Sequence, residues 1–163
     1  MGASHLRLAQ GFTLLEAITV IAVLGVLAAI AWPLTQQLLD HAVLVTATDL
    51  LTGEIRKAQR EARAVGRMLE LRIDPSADAY VVAPVGLPGR QGRLPSGVAF
   101  GSPDGTDPDG VTFRDNIARF SPRPGLQNSF GSITVRSRTG ARRVTVSITG
   151  HVVTAVWSGE EWQ

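Results

Sequence analysis

The chain has 163 residues, of which 16 are basic and 14 acidic, so its formal net charge is only +2. It has no cysteine, which excludes disulfides, thiol catalysis and thiolate metal sites. Without a leader and an apolar span, about 130 residues remain, enough for one domain with its own core.

The first element is an apolar stretch from Ala17 to Trp32 that contains no charged residue. Together with Phe12 to Leu15 it has about the length that a helix needs to cross a bilayer, roughly 20 residues. Glu16 is the one charge near its start. Because a carboxylate in a membrane span is costly, Glu16 is a functional candidate that lacks a partner. Arg7 precedes the span and favours a cytoplasmic N-terminus.

Two residues at the ends of this stretch, Gly11 and Pro33, bear on how it folds and is processed. Pro33 follows it, and proline lacks a backbone donor and clashes with the carbonyl four residues back, at Ala29. The helix is therefore expected to kink or open locally. Gly11 precedes the apolar run, whereas the cleavage site of a secretory signal peptide follows it. A cut at Gly11 would leave the hydrophobic helix in the mature protein.

The run G-F-T-L-L-E from Gly11 to Glu16, followed by the apolar helix, resembles the class III signal of type IV prepilins and type II secretion pseudopilins. The resemblance implies cleavage between Gly11 and Phe12 by a prepilin peptidase, and N-methylation of Phe12. It also implies that Glu16 meets the cationic N-terminus of a neighbouring subunit in a filament, and that Pro33 is a helix-kinking proline. The alternative is a plain signal anchor with a glutamate near its interface.

Residues 34–66 predict an amphipathic continuation of the helix. Arg56, Lys57 and Arg60 fall largely off its apolar stripe and are interpreted as a solvated face. Lys57 and Glu61 are spaced for an i,i+4 pair, and Gly66 is suited to end the helix. The residues at helical spacing that form the predicted buried stripe are Leu44, Leu51, Ile55, Ala58, Ala62, Val65 and Leu69.

An antiparallel β domain is predicted for residues 67–163. Residues 67–74 alternate, with Leu69, Leu71 and Ile73 on one face, and a turn at 74–78 leads into a second strand at 79–85. Residues 86–97 are rich in glycine and proline and predict a loop. The further strands are predicted at 98–100, 111–113, 117–120, 132–138, 142–148 and 151–157.

The last three strands predict a meander, in which Val144, Val146 and Ile148 form the buried face. The segments F-S-P-R-P-G (120–125), G-S-I-T-V (131–135) and R-R-V-T-V-S-I-T-G (142–150) resemble the GspH/FimT-like branch of pseudopilins and minor pilins. The expected fold class is α+β, a long N-terminal helix packed on an antiparallel β-sheet domain. The predicted parts are a cytoplasmic leader (1–11), a transmembrane assembly helix (12–33), an amphipathic helix (34–66) and a globular domain (67–163).

The resemblance implies a structural subunit of a type II secretion pseudopilus or a type IV pilus. Its partners would be other pilins or pseudopilins, prepilin peptidase and inner-membrane lipid. The globular domain would lie in the periplasm on a single-pass anchor. The sequence shows no catalytic constellation, because His5, His41 and His151 fall in separate elements and no phosphate-binding glycine loop occurs. We therefore expect neither enzyme activity nor a cofactor.

Residues 104–109 contain three aspartates in a turn-rich loop. Carboxylate oxygens could bind calcium there, but no glutamate stands twelve positions along, as a calcium-binding loop requires. A solvated turn is therefore the favoured interpretation, and no metal site is predicted.

Between Asn116 and Gly159 the chain has six arginines and no acidic residue. Across a tight hairpin, Arg136 or Arg138 is expected to neighbour Arg142 or Arg143. Such a cluster would attract phosphate backbones with a strong salt dependence. In FimT-type minor pilins the resemblance implies DNA contact through a G-R-x-R motif, which G-A-R-R at 140–143 only approaches. The alternatives to DNA binding are a solvated sheet face or a filament contact.

Overall fold

A computed structural model describes residues 13–123 and 129–163. Within these ranges the chain forms one long helix followed by eight strands, which build two antiparallel sheets. This is the predicted α+β class, with a long N-terminal helix and an antiparallel β domain, and the prediction is confirmed.

Helix α1 runs from Leu14 to Val65; a side chain caps its start, and a glycine in a left-handed conformation follows its end. At the start, the Thr13 hydroxyl accepts a hydrogen bond from the Glu16 backbone N–H at 3.2 Å, which satisfies one free donor of the first turn. At the end, Gly66 adopts φ +69° and its N–H donates to the carbonyl of Ala62 at 3.0 Å. Pro33 lies inside α1, and the chain is helical on both sides of it. The kink that was expected at Pro33 remains a prediction.

The chain divides into two compact units, one ending at Gln37 and one spanning Leu38 to Gln163. The first contains the apolar beginning of α1. The second contains the rest of α1 and all of the strands, and it has its own hydrophobic core.

The first sheet has the strand order β3-β2-β1-β5. Its central pair is the predicted hairpin, with Leu71 opposite Val82, and β5 lies on the other side with Ala118 opposite Leu71. The short turn of the hairpin is capped by Asp74, which accepts the N–H of Ser76 at 3.1 Å. The four strands are β1 (Leu69–Asp74), β2 (Ala79–Pro84), β3 (Arg90–Arg93) and β5 (Ile117–Phe120).

The second sheet has the order β4-β6-β7-β8 and contains the predicted meander. Ile133 pairs with Val144, and Val144 pairs with Thr154. A further bridge joins Val111 to Ile133, and another joins Trp157 to Trp162. The four strands are β4 (Ala99–Phe100), β6 (Gly131–Arg136), β7 (Ala141–Val146) and β8 (Val152–Val156).

One core joins the second half of α1 to the inward faces of both sheets. The helix contributes Leu51 and Ile55, both fully buried, together with small residues that allow the sheets to approach closely. Buried small residues on this face of the helix are Ala47, Thr48, Ala58 and Ala62.

The structure corrects three details. Residues 90–93 form strand β3 within the predicted 86–97 loop, because they pair with β2, a contact that composition does not reveal. Val65 is 57% exposed at the last turn of α1, beyond the end of the buried stripe. Ile148 is 63% exposed, because β7 ends at Val146 and the chain turns away from the core there.

Candidate functional site

The predicted assembly residues lie on an exposed helix. Glu16 is exposed in the first turn of α1, and within the described ranges its carboxylate has no hydrogen-bond or ion-pair partner. Pro33 is exposed further along the same helix. The cleavage pair, Gly11 and Phe12, lies outside the described residues together with the rest of the leader. Residues 124–128, part of the F-S-P-R-P-G segment and its loop, also lie outside them.

The surface around Glu16 is apolar. Helix α1 contains an 18-residue window with a mean hydropathy of 2.5, and none of that window is buried. By length and composition it is able to cross a membrane. Its exposed side chains include Ile21, Leu24 and Ile30, each more than half exposed. An apolar surface of this extent is normally covered by lipid or by another protein.

The four candidate DNA-binding arginines do not all lie on one face of the second sheet. In the register of β6 and β7, Arg143 pairs with Thr134, and Arg136 pairs with Ala141. Paired residues lie on the same side of a sheet, and so do residues two apart on one strand, such as Thr134 and Arg136. Arg136 and Arg143 therefore share the face that points away from the core, the outer face. Arg142 alternates with Arg143 and lies on the side of Val144, which faces the core. Of the neighbours expected across the hairpin, Arg136 and Arg143 therefore share a face, and DNA binding by these arginines stays a prediction.

Arg143 is already engaged by its neighbours. Its guanidinium lies over the ring of Trp162, with the carbon atom 4.0 Å from the ring centroid, and its Nε donates to the Thr134 hydroxyl at 3.3 Å. Burial lowers the pKa of the Arg143 guanidinium, and the charges of Asp104 and Asp107 oppose that shift. These two carboxylates repel an anion that approaches Arg143.

Arg136 and Arg138 are the accessible pair. Both are exposed and neither has an ion-pair partner among the described residues. They line a concave surface at the tip of the β6–β7 hairpin together with Trp157. The Trp157 ring lies 5.2 Å from that of Trp162 at an angle of 56°, so the two rings support each other. The sequence contained both tryptophans, but only the bridge between them places them beside the arginines.

Arg142 is in a different environment. It is half-buried, and its Nε is buried without a hydrogen-bond partner in the described part of the chain. It pairs with Val135 on one side and Val156 on the other. A phosphate bound at the outer face would not reach it, since it lies on the opposite side of the sheet.

The aspartate-rich loop uses its carboxylates internally. Asp104 accepts hydrogen bonds from the hydroxyls of Ser102 and Thr106, and these bonds hold the pKa of Asp104 at about 2. Asp107 accepts two backbone N–H groups from further along the loop, both at 3.1 Å. No group of three or more metal-binding side chains occurs in the described ranges. The geometry is that of a self-capped turn, the interpretation that the sequence favoured.

Sequence reasoning missed a buried carboxylate on the outer face of the first sheet. Glu70 is 4% exposed and accepts hydrogen bonds from Arg72 at 2.8 Å and from Arg119 at 3.0 Å. Burial alone would raise the pKa of Glu70, but the hydrogen bonds and charges of the two arginines outweigh it and lower that pKa. Strand alternation places Glu70 and Arg72 on one face, whereas Arg119 joins them only through the β1–β5 register.

We expect Glu70→Gln to lower the free energy of unfolding by about 1.5–3 kcal/mol at pH 7, because hydrogen bonds to a charged group are lost. The pKa of Glu70 is lower in the folded state, so this stabilisation is present above the unfolded-state pKa of about 4.3 and is lost as the pH falls through the folded-state value. Urea midpoints of both proteins between pH 7 and pH 3 measure the effect. The exposed Glu160→Gln is the matched control. A difference that stays constant with pH would contradict the assignment.

The comparisons with known proteins agree with this geometry. The fold resembles the type IV minor pilin FimU of Pseudomonas aeruginosa, with a TM-score of 0.50 and 10% identity over 74% of this chain and 92% of that one. It also resembles the minor pseudopilin EpsH of the type 2 secretion system of Vibrio cholerae, with a TM-score of 0.51 and 12% identity over 72% and 98%. The chain has a type IV pilin-like fold.

A family model named the prokaryotic N-terminal methylation motif matches residues 6–32. No curated protein sequence matches the chain. The chain therefore combines the prepilin-type methylation motif with the pilin-like fold, and the resemblance seen in the sequence is confirmed at that level.

Proposed function

We propose that this chain is a minor pilin or pseudopilin, a structural subunit rather than an enzyme. A prepilin peptidase cuts it between Gly11 and Phe12, and Phe12 is then N-methylated. The apolar helix holds it in the inner membrane as a single-pass protein with the β domain in the periplasm. Other pilins or pseudopilins then take it into a filament, which is either a type II secretion pseudopilus or a type IV pilus.

The observation that carries this proposal is where the methylation motif falls in the structure. The motif covers residues 6–32, and its described part lies on a wholly exposed apolar helix that leads into a pilin-like domain. In the first turn of that helix, Glu16 provides a carboxylate that has no partner within the described ranges. A new N-terminus at Phe12 supplies a cation of the kind that this carboxylate lacks.

Processing gives the direct test. Mass spectrometry of the protein purified from its own membranes should show a mature chain that begins at Phe12 and is heavier there by one methyl group. Gly11→Val should leave the leader attached, because the peptidase then meets a branched side chain at the cut. A mature N-terminus elsewhere would reject the proposed processing, and Ser4→Val in the leader serves as the control.

DNA capture is the second candidate function. It is supported by Arg136 and Arg138, which are exposed beside Trp157 and have no ion-pair partner among the described residues, since cations hold phosphates and an indole ring stacks on bases. We assign the proposed site to the hairpin tip, because Arg136 lies on the outer face and Arg143 is already engaged by Trp162.

For DNA, we expect the detergent-solubilised full chain to bind labelled single-stranded and duplex DNA at low salt, measured by fluorescence anisotropy. Arg136→Ala with Arg138→Ala should weaken binding about tenfold or more and should reduce the slope of log K against log salt by about 0.7–0.9 for each lost phosphate contact. Arg142→Ala, on the other face, is the control and should bind normally. Equal affinities of the unchanged chain, the double alanine variant and Arg142→Ala would reject the hairpin tip as the site.

A further inference from the structure

The exposed face of α1 carries a row of cations that the domain does not neutralise. We call it the basic ridge, and it consists of Arg56, Lys57, Arg60 and Arg63. All four are exposed, and none has an ion-pair partner in the described part of the chain. They lie largely opposite the buried stripe that contains Leu51 and Ile55, so the ridge faces away from the core.

The two glutamates in the same turns of α1, Glu54 and Glu61, contact the first sheet and not the ridge. Glu54 accepts a hydrogen bond from Arg90 of β3 at 2.7 Å, and Glu61 lies 3.8 Å from the same guanidinium. The spacing of Lys57 and Glu61 suggested an ion pair within the helix. In the structure, Glu61 instead contacts Arg90 of the first sheet. Since Arg90 holds both glutamates at the sheet side, they do not neutralise the ridge, whose cations have no ion-pair partner in the part of the chain that the structure describes.

A notch lies beside the ridge. Gly53 is exposed in the last quarter of α1, four residues after Asp49 and four before Lys57, and an added Cβ would meet no atom within 4 Å. Glycine is among the least favourable residues inside a helix, and nothing in the described chain requires its small size. A glycine at such a place allows another backbone to approach closely.

We propose that this face of α1 docks a helix of a different pilin-type subunit, which crosses α1 at Gly53 and presents acidic side chains to the basic ridge. The inference rests on the proposed function, because it takes the partner to be a subunit of the same filament. It adds the chemistry of that partner: a helix that carries carboxylates opposite Arg56, Lys57 and Arg60.

A second copy of this chain fits less well. Membrane anchoring gives all copies the same orientation, so two copies in register would place ridge against ridge, and like charges opposite each other are unfavourable. A copy shifted by seven residues, about 10 Å along the axis, would bring Asp49 opposite Arg56. That shift neutralises one cation of four, whereas an acidic helix neutralises the whole ridge.

The absence of cysteine in the sequence allows a clean cross-linking experiment. Thr46→Cys and Ala64→Cys place single cysteines on the exposed helix on either side of the notch. Each full-length variant is expressed with its own assembly system, labelled with benzophenone maleimide in membranes and irradiated. Mass spectrometry should identify one other pilin-type subunit as the adduct. Thr139→Cys, in the exposed β6–β7 turn, is the control and should not give that adduct.

Charge and shape are then varied separately. Arg56→Glu with Arg60→Glu should lower the adduct yield at least about tenfold, because attraction becomes repulsion. Arg93→Glu with Arg114→Glu, two exposed arginines of the β domain, is the matched control and should not change the yield.

Gly53→Leu should also abolish the adduct while the thermal unfolding midpoint is unchanged, since the added side chain has open space in the monomer. A lysine in place of the partner's acidic residue should restore the yield for the charge-reversed chain.

The outcomes separate this inference from the proposed function. Adducts with a second copy of the chain, with DNA or with lipid alone would overturn the inference, as would an unchanged yield after charge reversal. A third probe at Gly25→Cys, in the apolar part of α1, reports on assembly independently. If Gly25→Cys yields pilin-type adducts and the two ridge probes do not, only the inference fails. If none of the probes yields such an adduct, the proposed function fails as well.

Discussion

Glu16→Val is expected to leave the chain in the membrane and to remove it from the filament, with incorporation falling at least about tenfold. The carboxylate of Glu16 is exposed on an apolar helix and is unpartnered in the described residues. In a lipid-like environment, removing one member of a charge pair costs about 2–5 kcal/mol, because the other charge stays desolvated. Here that other charge would be the new N-terminus of a neighbouring subunit.

Valine makes the span more apolar, so membrane insertion is maintained and the effect is confined to assembly. Glu16→Asp keeps the charge and should retain much of the incorporation, whereas Glu16→Gln keeps the shape without the charge and should behave like valine. Sheared filaments and membranes from cells that express each variant, compared by quantitative immunoblotting, measure the ratio. Normal incorporation of the valine variant would show that Glu16 does not pair with a neighbour.

Leu51→Ala is expected to lower the free energy of unfolding of the second unit by about 2–5 kcal/mol. Leu51 is fully buried in the core that joins α1 to both sheets, so its truncation leaves a cavity that the small buried residues one turn earlier, Ala47 and Thr48, do not fill. Because a typical domain is stable by only about 5–15 kcal/mol, this loss is a large fraction of the total.

The same substitution at Leu39 is the control for that experiment. Leu39 lies on the same helix but is 53% exposed, so Leu39→Ala should change the free energy of unfolding by less than about 0.5 kcal/mol. Urea unfolding of the full chain in detergent, followed by far-ultraviolet circular dichroism, compares the two variants. Equal destabilisation by both would mean that the exposed and buried faces of α1 are assigned wrongly.

Much of the helix and of the methylation motif could be predicted from residue order alone. The apolar run, the early Glu16 and the preceding Gly11 are local features, and the periodicity of Leu44, Leu51 and Ile55 is a property of one segment. The hairpin of β1 and β2 was also local, because its turn residues and alternation lie within one short stretch. Interactions between residues close together in the sequence are sufficient to determine features of this kind.

Contacts between distant segments were decided by the tertiary structure. Strand β3 was hidden in a glycine-rich stretch because its pairing with β2 gives no signal in composition. Arg119 reaches Glu70, and Arg90 takes Glu61 away from Lys57, across dozens of residues of sequence. The sequence left open which arginines of β6 and β7 are neighbours, and the register places Arg136 and Arg143 on one face of the sheet.

The sequence by itself therefore determined the helix, its membrane-length apolar run and the methylation motif, because each depends on residues close together in the chain. The tertiary structure decided which charges remain free. Ion pairs form between residues that the fold brings together, so Arg90 neutralises the acidic side of α1 and leaves the basic ridge exposed. Only the fold places Trp162 over Arg143 and leaves Arg136 and Arg138 exposed.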